Sequence, residues 1–304
     1  MPLIKSLRAN DHEVLAIVRS RDGEARVRAL GAHAVFADVM HRDSLLRAVD
    51  GLHADAVIHE LTALKKTPTK HADMAVTNAL RIRGTTHLLD AARSVGATRF
   101  LTQSIVFGYG YYDHGESVLT EESPFGQLRG DAFDPHVEAM LSTEQQVLGA
   151  EGIDGISLRY GLLYGADIDK VVRMLRHRSL PVPKTGGLLP FIHHRDAATA
   201  TVAALTLGRP GSAYNIVDDQ PATFRQLVTA IAVARHAPTP LTMPVWLLRA
   251  VAPYGGVVLD GVSMRVSNAK ARSELRLSSA YPSYRDGISA VPESPSIPEG
   301  TGRP

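Results

Sequence analysis

Cysteine is absent from the 304 residues of this sequence, which excludes disulfide bonds, thiolate catalysis and zinc sites built on sulfur. Long apolar runs are absent as well, since none approaches the roughly 18 residues that a membrane-spanning helix requires. The start, MPLIKSLRANDHEV, lacks the apolar core and cleavage site of a signal peptide. We therefore expect a cytoplasmic protein that does not bind a membrane.

A strong charge of either sign is also lacking, because 33 basic residues nearly balance 31 acidic ones. The net charge of +2, without a basic stripe, argues against nucleic acid as a partner. Metal and hydrolase motifs are missing too: His59-Glu60 begins like His-Glu-x-x-His, but Ala63 stands where the second histidine belongs, and no Gly-x-Ser-x-Gly occurs. His193 and His194 are adjacent, so on a strand they point to opposite faces. No metal site is expected.

The chain does contain a regular alternation of short apolar runs and amphipathic segments. Hydrophobic residues make up 44% and charged residues 21%, which is typical of a soluble globular protein. Alternation at this spacing predicts βαβ units with right-handed crossovers, and thus a doubly wound parallel sheet of the α/β class. The predicted strands are 13–18, 33–36, 55–58, 99–108, 155–158, 190–193 and 213–217. The predicted helices are 3–9, 24–30, 42–49, 72–95, 134–150, 168–177, 196–206, 223–235, 244–251 and 268–275.

The strand over residues 99–108 carries the polar pair Gln103 and Ser104 near its carboxyl end. Ligands of open α/β sheets bind outside the carboxyl ends of the strands, so this pair is placed to contact a substrate. An alternative is that Ser104 only caps the strand or satisfies a backbone group.

The pattern divides the chain into a larger domain over residues 1–165 and a smaller lid over residues 166–288, partly interleaved with the sheet. The last stretch, 289–304, is rich in proline, serine and glycine and is predicted to be disordered. Residues 108–133 are predicted to form a long structureless loop, and loops of that length in compact domains are usually functional.

One Gly-x-x-Gly-x-x-Gly pattern occurs, at Gly149, Gly152 and Gly155. It follows a predicted helix and precedes a strand, the reverse of the order in which such a turn binds phosphate. Glu151 and Asp154 within it would also repel phosphate. We interpret it as a helix C-cap followed by a turn.

Several stretches occur in a characteristic order: HEVLAIVRS, HELTAL, GTTHLLDAA, RFLTQSIVFG, LRYGLLYG, FIHHRDAA and SNAKARSEL. With this order the sequence resembles the extended short-chain dehydrogenase/reductases, the NAD-dependent epimerase/dehydratase group, in a branch with Gln-Ser in place of Ser-Ser or Ser-Thr. The resemblance covers roughly residues 1–290. It implies a Rossmann-like fold that binds a dinucleotide through residues 1–165 and the substrate through the lid. It also implies hydride transfer with NAD or NADP and a homodimer formed through helices 72–95 and 134–150.

Family members begin with a strand and a glycine-rich turn that binds the pyrophosphate, and this sequence has neither. It begins within the helix that follows that turn, so the sheet is expected to lack its first strand and leave the neighbouring strands unpaired. Two explanations stay open. The protein starts further upstream, or it is a relative with weakened cofactor binding.

The catalytic Tyr-x-x-x-Lys of the family is also missing, since none of the nine tyrosines has lysine four residues later. When the sequence is matched to the family, His136 stands at the tyrosine position and Met140 at the lysine position. The resemblance therefore implies His136 as acid or base, because imidazole titrates near neutrality. The alternative is a partly exposed histidine at a helix start. The other candidates for the proton donor are Tyr109, Tyr111, Tyr112 and Tyr160.

By resemblance, Arg19 and Ser20 contact the adenosine ribose, and the arginines at 19 and 21 favour NADP over NAD. Asp38 contacts the amino group of the adenine or, alternatively, initiates a helix. Asn78 and Arg81 have a supporting role near the end of the sheet. The predicted cofactor-binding residues are Arg19, Ser20, Asp38, Leu61, Thr62, Asn78, Gln103 and Tyr160.

The catalytic assignment is Ser104, polarising a carbonyl or hydroxyl, together with His136. The function implied is an NAD(P)-dependent oxidoreductase or epimerase-like enzyme acting by hydride transfer on a small polar or sugar-type substrate. The alternative, favoured by the two missing motifs, is a catalytically inactive Rossmann-like protein that senses a nucleotide or serves as a scaffold.

Overall fold

A computed structural model describes residues 1–64 and 66–290 of the chain. The strands are β1 (Leu15–Val18), β2 (His33–Phe36), β3 (Ala56–His59), β4 (Arg99–Ile105), β5 (Asp113–Leu119), β6 (Asp154–Tyr160), β7 (Leu162–Tyr164), β8 (Val182–Pro183), β9 (Phe191–His193), β10 (Ser212–Ile216), β11 (Thr242–Met243) and β12 (Ser263–Val266). The helices are α1 (Pro2–Ala9), α2 (Arg21–Arg28), α3 (Arg42–Val49), α4 (Ala75–Ala79), α5 (Thr85–Ser94), α6 (Asp134–Leu148), α7 (Ile168–Arg176), α8 (His194–Leu207), α9 (Phe224–Ala234), α10 (Val245–Val251), α11 (Pro253–Asp260), α12 (Ala269–Glu274) and α13 (Tyr284–Ser289). Within this part of the chain no helix is both long and apolar enough to cross a membrane.

Four strands form one parallel sheet in the order β10-β6-β4-β3. Six of the seven residues of β6 and four of the seven of β4 are buried, and the other three of β4 are half-buried, as expected for central strands covered on both faces. Neighbouring residues of β4 serve opposite faces: Phe100 packs with Leu88 and Leu89 of α5, whereas Leu101 packs with Ala200 of α8. Helices therefore cover both faces, and the predicted α/β fold with a doubly wound parallel sheet is confirmed.

A second parallel sheet contains β1 and β2, joined in register from Leu15 opposite His33 to Val18 opposite Phe36. Ile17 of β1 and Val57 of β3 pack against the same hydrophobic cluster, so both sheets rest on shared helices. In the described chain, however, no strand pairing joins β1 to β3. β1 and β3, the two strands that were expected to lack a neighbour, thus each have one edge without a strand partner. We call the region between these two edges the sheet gap.

The predicted helix over residues 72–95 is present but is not uniform. A short 3-10 helix (His71–Met74) leads into α4, a π-helical turn (Leu80–Gly84) follows, and α5 completes the run. The π turn widens the helix by one residue, and such turns occur frequently at functional sites. It places Arg81 and Gly84 in the interior.

The prediction of a structureless loop over residues 108–133 is wrong, because this stretch contains β5, which pairs in parallel with β12. Most β5 side chains are exposed, so no apolar pattern marks the strand. Its partner lies about 150 residues away in the chain, and this long-range pairing holds β5 in place.

The predicted lid, residues 166–288, includes α7, α9 to α12, most of α13 and the short pair β8–β11, and its strand β9 pairs with β7 of the preceding stretch. The division at residues 165 and 166 stays a prediction. The predicted tail over 289–304 begins one residue too early, since Ser289 is the last residue of α13. Residues 291–304 lie outside the described part.

The three glycines of the Gly-x-x-Gly-x-x-Gly pattern each meet a local structural requirement, which confirms the interpretation as a C-cap and turn. Gly149 follows α6 as its C-cap, and Gly152 has a φ of +72°. A Cβ at Gly155 would lie 1.8 Å from the carbonyl oxygen of Val147. Close packing of α6 on β6 therefore requires glycine there.

Candidate active site

The predicted site residues fall into three groups along the carboxyl ends of the parallel strands. The first follows β1 and β2, the second follows β3 and ends β4, and the third surrounds the start of α6.

In the first group, Arg19 Nη1 lies 3.8 Å from Asp38 Oδ2, and the two side chains are 63% and 37% exposed. Ser20 is the N-cap of α2, where its hydroxyl accepts a hydrogen bond from the Gly23 amide. Asp38 Oδ1 accepts one from the Met40 amide at 2.9 Å, in a turn before α3. The alternative in which Asp38 initiates a helix is therefore wrong.

In the second group, Gln103 Nε2 donates a 2.6 Å hydrogen bond to the carbonyl oxygen of Leu61. Thr62 Oγ1 lies 3.5 Å from Thr77 Oγ1 and accepts a hydrogen bond from the Leu64 amide. Gln103 thus connects β4 to the segment after β3, and the assignment of Leu61, Thr62 and Gln103 to the cofactor stays a prediction.

Ser104 is 2% exposed, and its hydroxyl has no hydrogen-bond partner among the described residues. The alternative in which this hydroxyl only satisfies a backbone group is therefore wrong. A buried hydroxyl without a partner is costly, so its retention at a strand end points to a ligand that completes it.

In the third group, His136 is only 3% exposed, which rules out the partly exposed histidine considered above. Asn78 Nδ2 donates to His136 Nδ1 at 2.9 Å, so the ring proton lies on Nε2 and is shared with His71 Nδ1 at 3.0 Å. Burial, followed by the nearby His71 and Arg81, lowers the pKa of His136 to about 4. His136 is therefore neutral at pH 7 and cannot act as a cationic acid there.

Three rings, those of Tyr111, Phe133 and Tyr254, pack around His71 and His136, and we call these five the five-ring cluster. Centroid distances are 5.2 Å for His71–His136, 4.3 Å for Tyr111–Phe133 and 5.3 Å for His136–Tyr254. The hydroxyls of Tyr111 and Tyr254 are 3.2 Å apart. Its members come from the 3-10 helix, the segment before β5, the start of α6 and α11.

Burial is the first cause of the raised pKa values of three candidate tyrosines, Tyr109, Tyr111 and Tyr160. Tyr109 accepts a hydrogen bond from Arg159 and donates one to Asn215, whereas Tyr111 contacts Tyr254. Tyr112 stacks on His114 with centroids 4.0 Å apart. None of these tyrosines is followed four residues later by the lysine that gives the family's tyrosine its acid–base function.

Tyr160 lies deeper, where its hydroxyl donates to Glu60 Oε1 at 3.1 Å and contacts Thr201 Oγ1 at 2.6 Å. Burial raises the pKa of Glu60 to about 7 despite the hydrogen bond from Tyr160. Glu60 directly follows β3. The sequence pattern identified it only as part of a failed metal motif, and its link to Tyr160 joins positions 100 residues apart.

A second buried acid missed from the sequence is Glu144 of α6. Arg159 Nη2 and Nε donate to its two carboxylate oxygens at 2.7 and 3.0 Å, and Ser157 donates to it as well. The pair ties α6 to β6 beneath the candidate site. Among the described residues no cluster of three or more metal-ligating side chains occurs.

His59, at the end of β3, predicts an acid-sensitive fold. Burial, followed by Arg81, lowers its pKa to about 4 from an ordinary 6.5. The contribution of neutral His59 to the free energy of unfolding is complete above pH 6.5 and is lost as the pH falls through 4. It amounts to at most about 3 kcal/mol. Urea titrations at pH 7, 5.5 and 4.5 should show His59→Gln losing less stability on acidification than wild type. His53→Gln, an exposed control, should behave like wild type, and equal profiles for both variants would contradict this role.

Comparison with known proteins adds a family and several relatives. Residues 2–217 match the NAD dependent epimerase/dehydratase family. A 3-diazoavenalumate denitrifying reductase from a Streptomyces species is 35% identical over 301 residues, covering 94% of each chain. A 4-hydroxy-2-methyl-3-oxo-4-farnesyl-3,4-dihydroquinoline-1-oxide ketoreductase from Stigmatella aurantiaca is 25% identical over 242 residues, covering 75% of this chain and 68% of its own. The solved UDP-glucose 4-epimerase of Thermotoga maritima has a TM-score of 0.76 at 17% identity, covering 95% of this chain and 92% of its own, which shows a shared fold.

Proposed function

This chain belongs to the NAD dependent epimerase/dehydratase family, and from that premise we propose that it is a reductase of a diazo compound. NAD(H) is the cofactor class that the family assignment supports. The reductase named for a diazo substrate supports the reaction class, because its similarity extends over 94% of both chains. The observation that carries the proposal is the protonation state of the candidate site.

Reduction of a carbonyl places charge on oxygen, which needs a proton donor such as the family's tyrosine–lysine pair. Here His136, with a pKa of about 4, and Met140 occupy those positions. A bound reduced nicotinamide supplies hydride. When a hydride replaces the nitrogen of an aryl diazonium group, one carbon–nitrogen bond breaks, N₂ leaves with its electron pair, and one C–H bond forms. No oxygen needs a proton, so the neutral His136 suits this reaction.

The residues present fit the two ends of the dinucleotide. Arg19 extends into solvent beside Ser20 at the end of β1, where it would hold the ribose of the adenosine. Ser104 offers an unpartnered buried hydroxyl at the nicotinamide end, and Gln103 holds Leu61 beside it. His136, fixed by Asn78, excludes water from the reacting end rather than supplying a proton.

Within this proposal NADPH is preferred over NADH. The Arg19–Asp38 pair is largely exposed and 3.8 Å long, so it is weak, and a 2′-phosphate dianion should displace it. Calorimetric titration should give micromolar NADPH binding and weaker NADH binding. Arg19→Ala should weaken NADPH binding about tenfold and NADH binding much less, because only NADPH carries the 2′-phosphate. Arg26→Ala, on the exposed face of α2, serves as the control, and equal losses for both cofactors in Arg19→Ala would contradict the preference.

The function itself is tested by incubating the protein with an aryl diazonium carboxylate and NADPH deuterated at C4. We expect N₂ release and deuterium at the former diazo carbon, faster than in a protein-free control. Reduction of ketones without N₂ release would instead favour a ketoreductase, in which Glu60, with a pKa of about 7, provides the proton through Tyr160. Absence of both reactions in a folded protein would support the inactive alternative.

A further inference from the structure

Arg81 is a buried cation that the proposed reaction does not yet use. It projects from the π turn, is 6% exposed, and has no hydrogen-bond partner for Nε or Nη1 among the described residues. Its neighbour Arg83 lies on the same turn but is exposed. The turn therefore separates two arginines, one directed into the protein and one directed to solvent.

The charge of Arg81 is not balanced within the described part of the chain, where no carboxylate forms an ion pair with it. Its electrostatic neighbours are His59, His136, Tyr111 and Tyr254, and none of them carries a negative charge at neutral pH. A buried guanidinium remains protonated and is costly to leave unpaired. An anion is therefore the partner that this position lacks.

The surroundings of Arg81 indicate what kind of anion fits. Tyr111, Tyr254 and His136 belong to the five-ring cluster, whose faces and edges suit a flat ring. The amide oxygen of Asn78 is buried without a partner in the described chain, so it can accept a hydrogen bond from a donor on the ligand but does not bind its anionic group. His71 is the half-buried member of the cluster, so it is the ring that an incoming ligand would displace.

We propose that Arg81 binds the carboxylate of an aromatic substrate, with the ring of that substrate inserted among the rings of the five-ring cluster. This inference rests on the proposed function, since it assigns the substrate class of the same site. One edge of a guanidinium, either Nε with Nη2 or Nη1 with Nη2, forms two parallel charge-assisted hydrogen bonds with a carboxylate, and each edge of Arg81 includes one of the donors left free here. The residues assigned to the cofactor ribose, Arg19 and Ser20, form a separate group after β1.

Binding of cinnamate and of its neutral isostere cinnamamide tests the inference by calorimetry, without any turnover. Wild type should bind cinnamate at least about tenfold more tightly than cinnamamide. Arg81→Met should lose this preference, and Arg81→Lys should keep part of it because the charge remains but the two-pronged geometry does not. Arg83→Met removes the same charge from the exposed side of the turn and should keep the full preference.

Thermal unfolding separates a binding role from a structural one. Arg81→Met should melt at or above the temperature of wild type, because it removes a charge that lacks a partner. A large loss of melting temperature in both Arg81 variants would show that the guanidinium supports the fold, and would overturn the inference. Equal cinnamate preference in wild type and Arg81→Met would overturn it as well. Cinnamate binding through Arg81 without any reduction of diazo compounds would refute the proposed function and leave this inference standing.

Discussion

Replacing Ser104 by alanine should make the ligand-free protein more stable and less active. The hydroxyl is buried at the end of β4 without a hydrogen-bond partner, so its removal should raise the free energy of unfolding by about 1 kcal/mol. The same hydroxyl is assigned to the reacting end of the site, so turnover should fall at least about tenfold. Urea unfolding and initial rates with NADPH measure the two effects on one preparation.

Ser157 of β6 provides a matched control for Ser104. It is also a buried serine on a central strand, but its hydroxyl donates to Glu144 at 3.0 Å. Ser157→Ala should therefore lose stability and retain turnover, the reverse of Ser104→Ala. If Ser104→Ala were instead less stable with unchanged rates, the hydroxyl would have a structural role and the catalytic assignment would be wrong.

Replacing Glu144 by leucine should destabilise the fold by about 3 to 5 kcal/mol. The side chains of Glu144 and Arg159 are only 4% and 7% exposed, and they meet through two parallel hydrogen bonds. Without the carboxylate, Arg159 remains charged in the interior, with Tyr109 as its remaining hydrogen-bond partner and the Phe125 ring 3.8 Å from its guanidinium carbon. Urea titration at pH 7 measures the loss.

A double variant distinguishes a buried charge from a packing defect. Glu144→Leu combined with Arg159→Met removes both charges at similar volume and should recover most of the stability lost in the single variant. Asp219→Ala, which breaks the exposed pair with Arg272, should cost less than about 1 kcal/mol. A double variant no more stable than Glu144→Leu would show that packing, rather than the unpaired charge, causes the loss.

The elements that the sequence predicted well are those whose side chains follow a local period. Residues 33–36 and 42–49 match β2 and α3, because their apolar residues repeat at the spacing of a strand and a helix. β5 and β12 were missed, since a mostly exposed strand that pairs 150 residues away leaves no local pattern. The π turn is likewise invisible, because its sequence is that of an ordinary helix.

The residues of the candidate site were predicted from the end of each strand separately, so contacts between distant segments were not predicted. Gln103 of β4 and Leu61 after β3 are in contact, because β3 and β4 are neighbouring parallel strands. His71 and Tyr254 were not identified, although both pack on His136, since each comes from an irregular or distant segment. A contact that depends on tertiary packing has no signature within a single window of sequence. The homodimer through helices 72–95 and 134–150 stays a prediction.

Because of the sheet gap, the backbone amides of neighbouring strands should exchange with solvent deuterium at very different rates. In a parallel strand alternate N–H groups face each neighbour, so half of those in β1 and β3 face the gap without an acceptor from another strand. These amides should exchange through small local openings, whereas those of β4 and β6, paired on both sides, should exchange only when the domain unfolds as a whole. Deuterium uptake should therefore be slow in β4 and β6 and rapid at the amides of β1 and β3 that face the sheet gap. A peptide chain or ligand bound in the gap would slow the exchange of those amides in both strands.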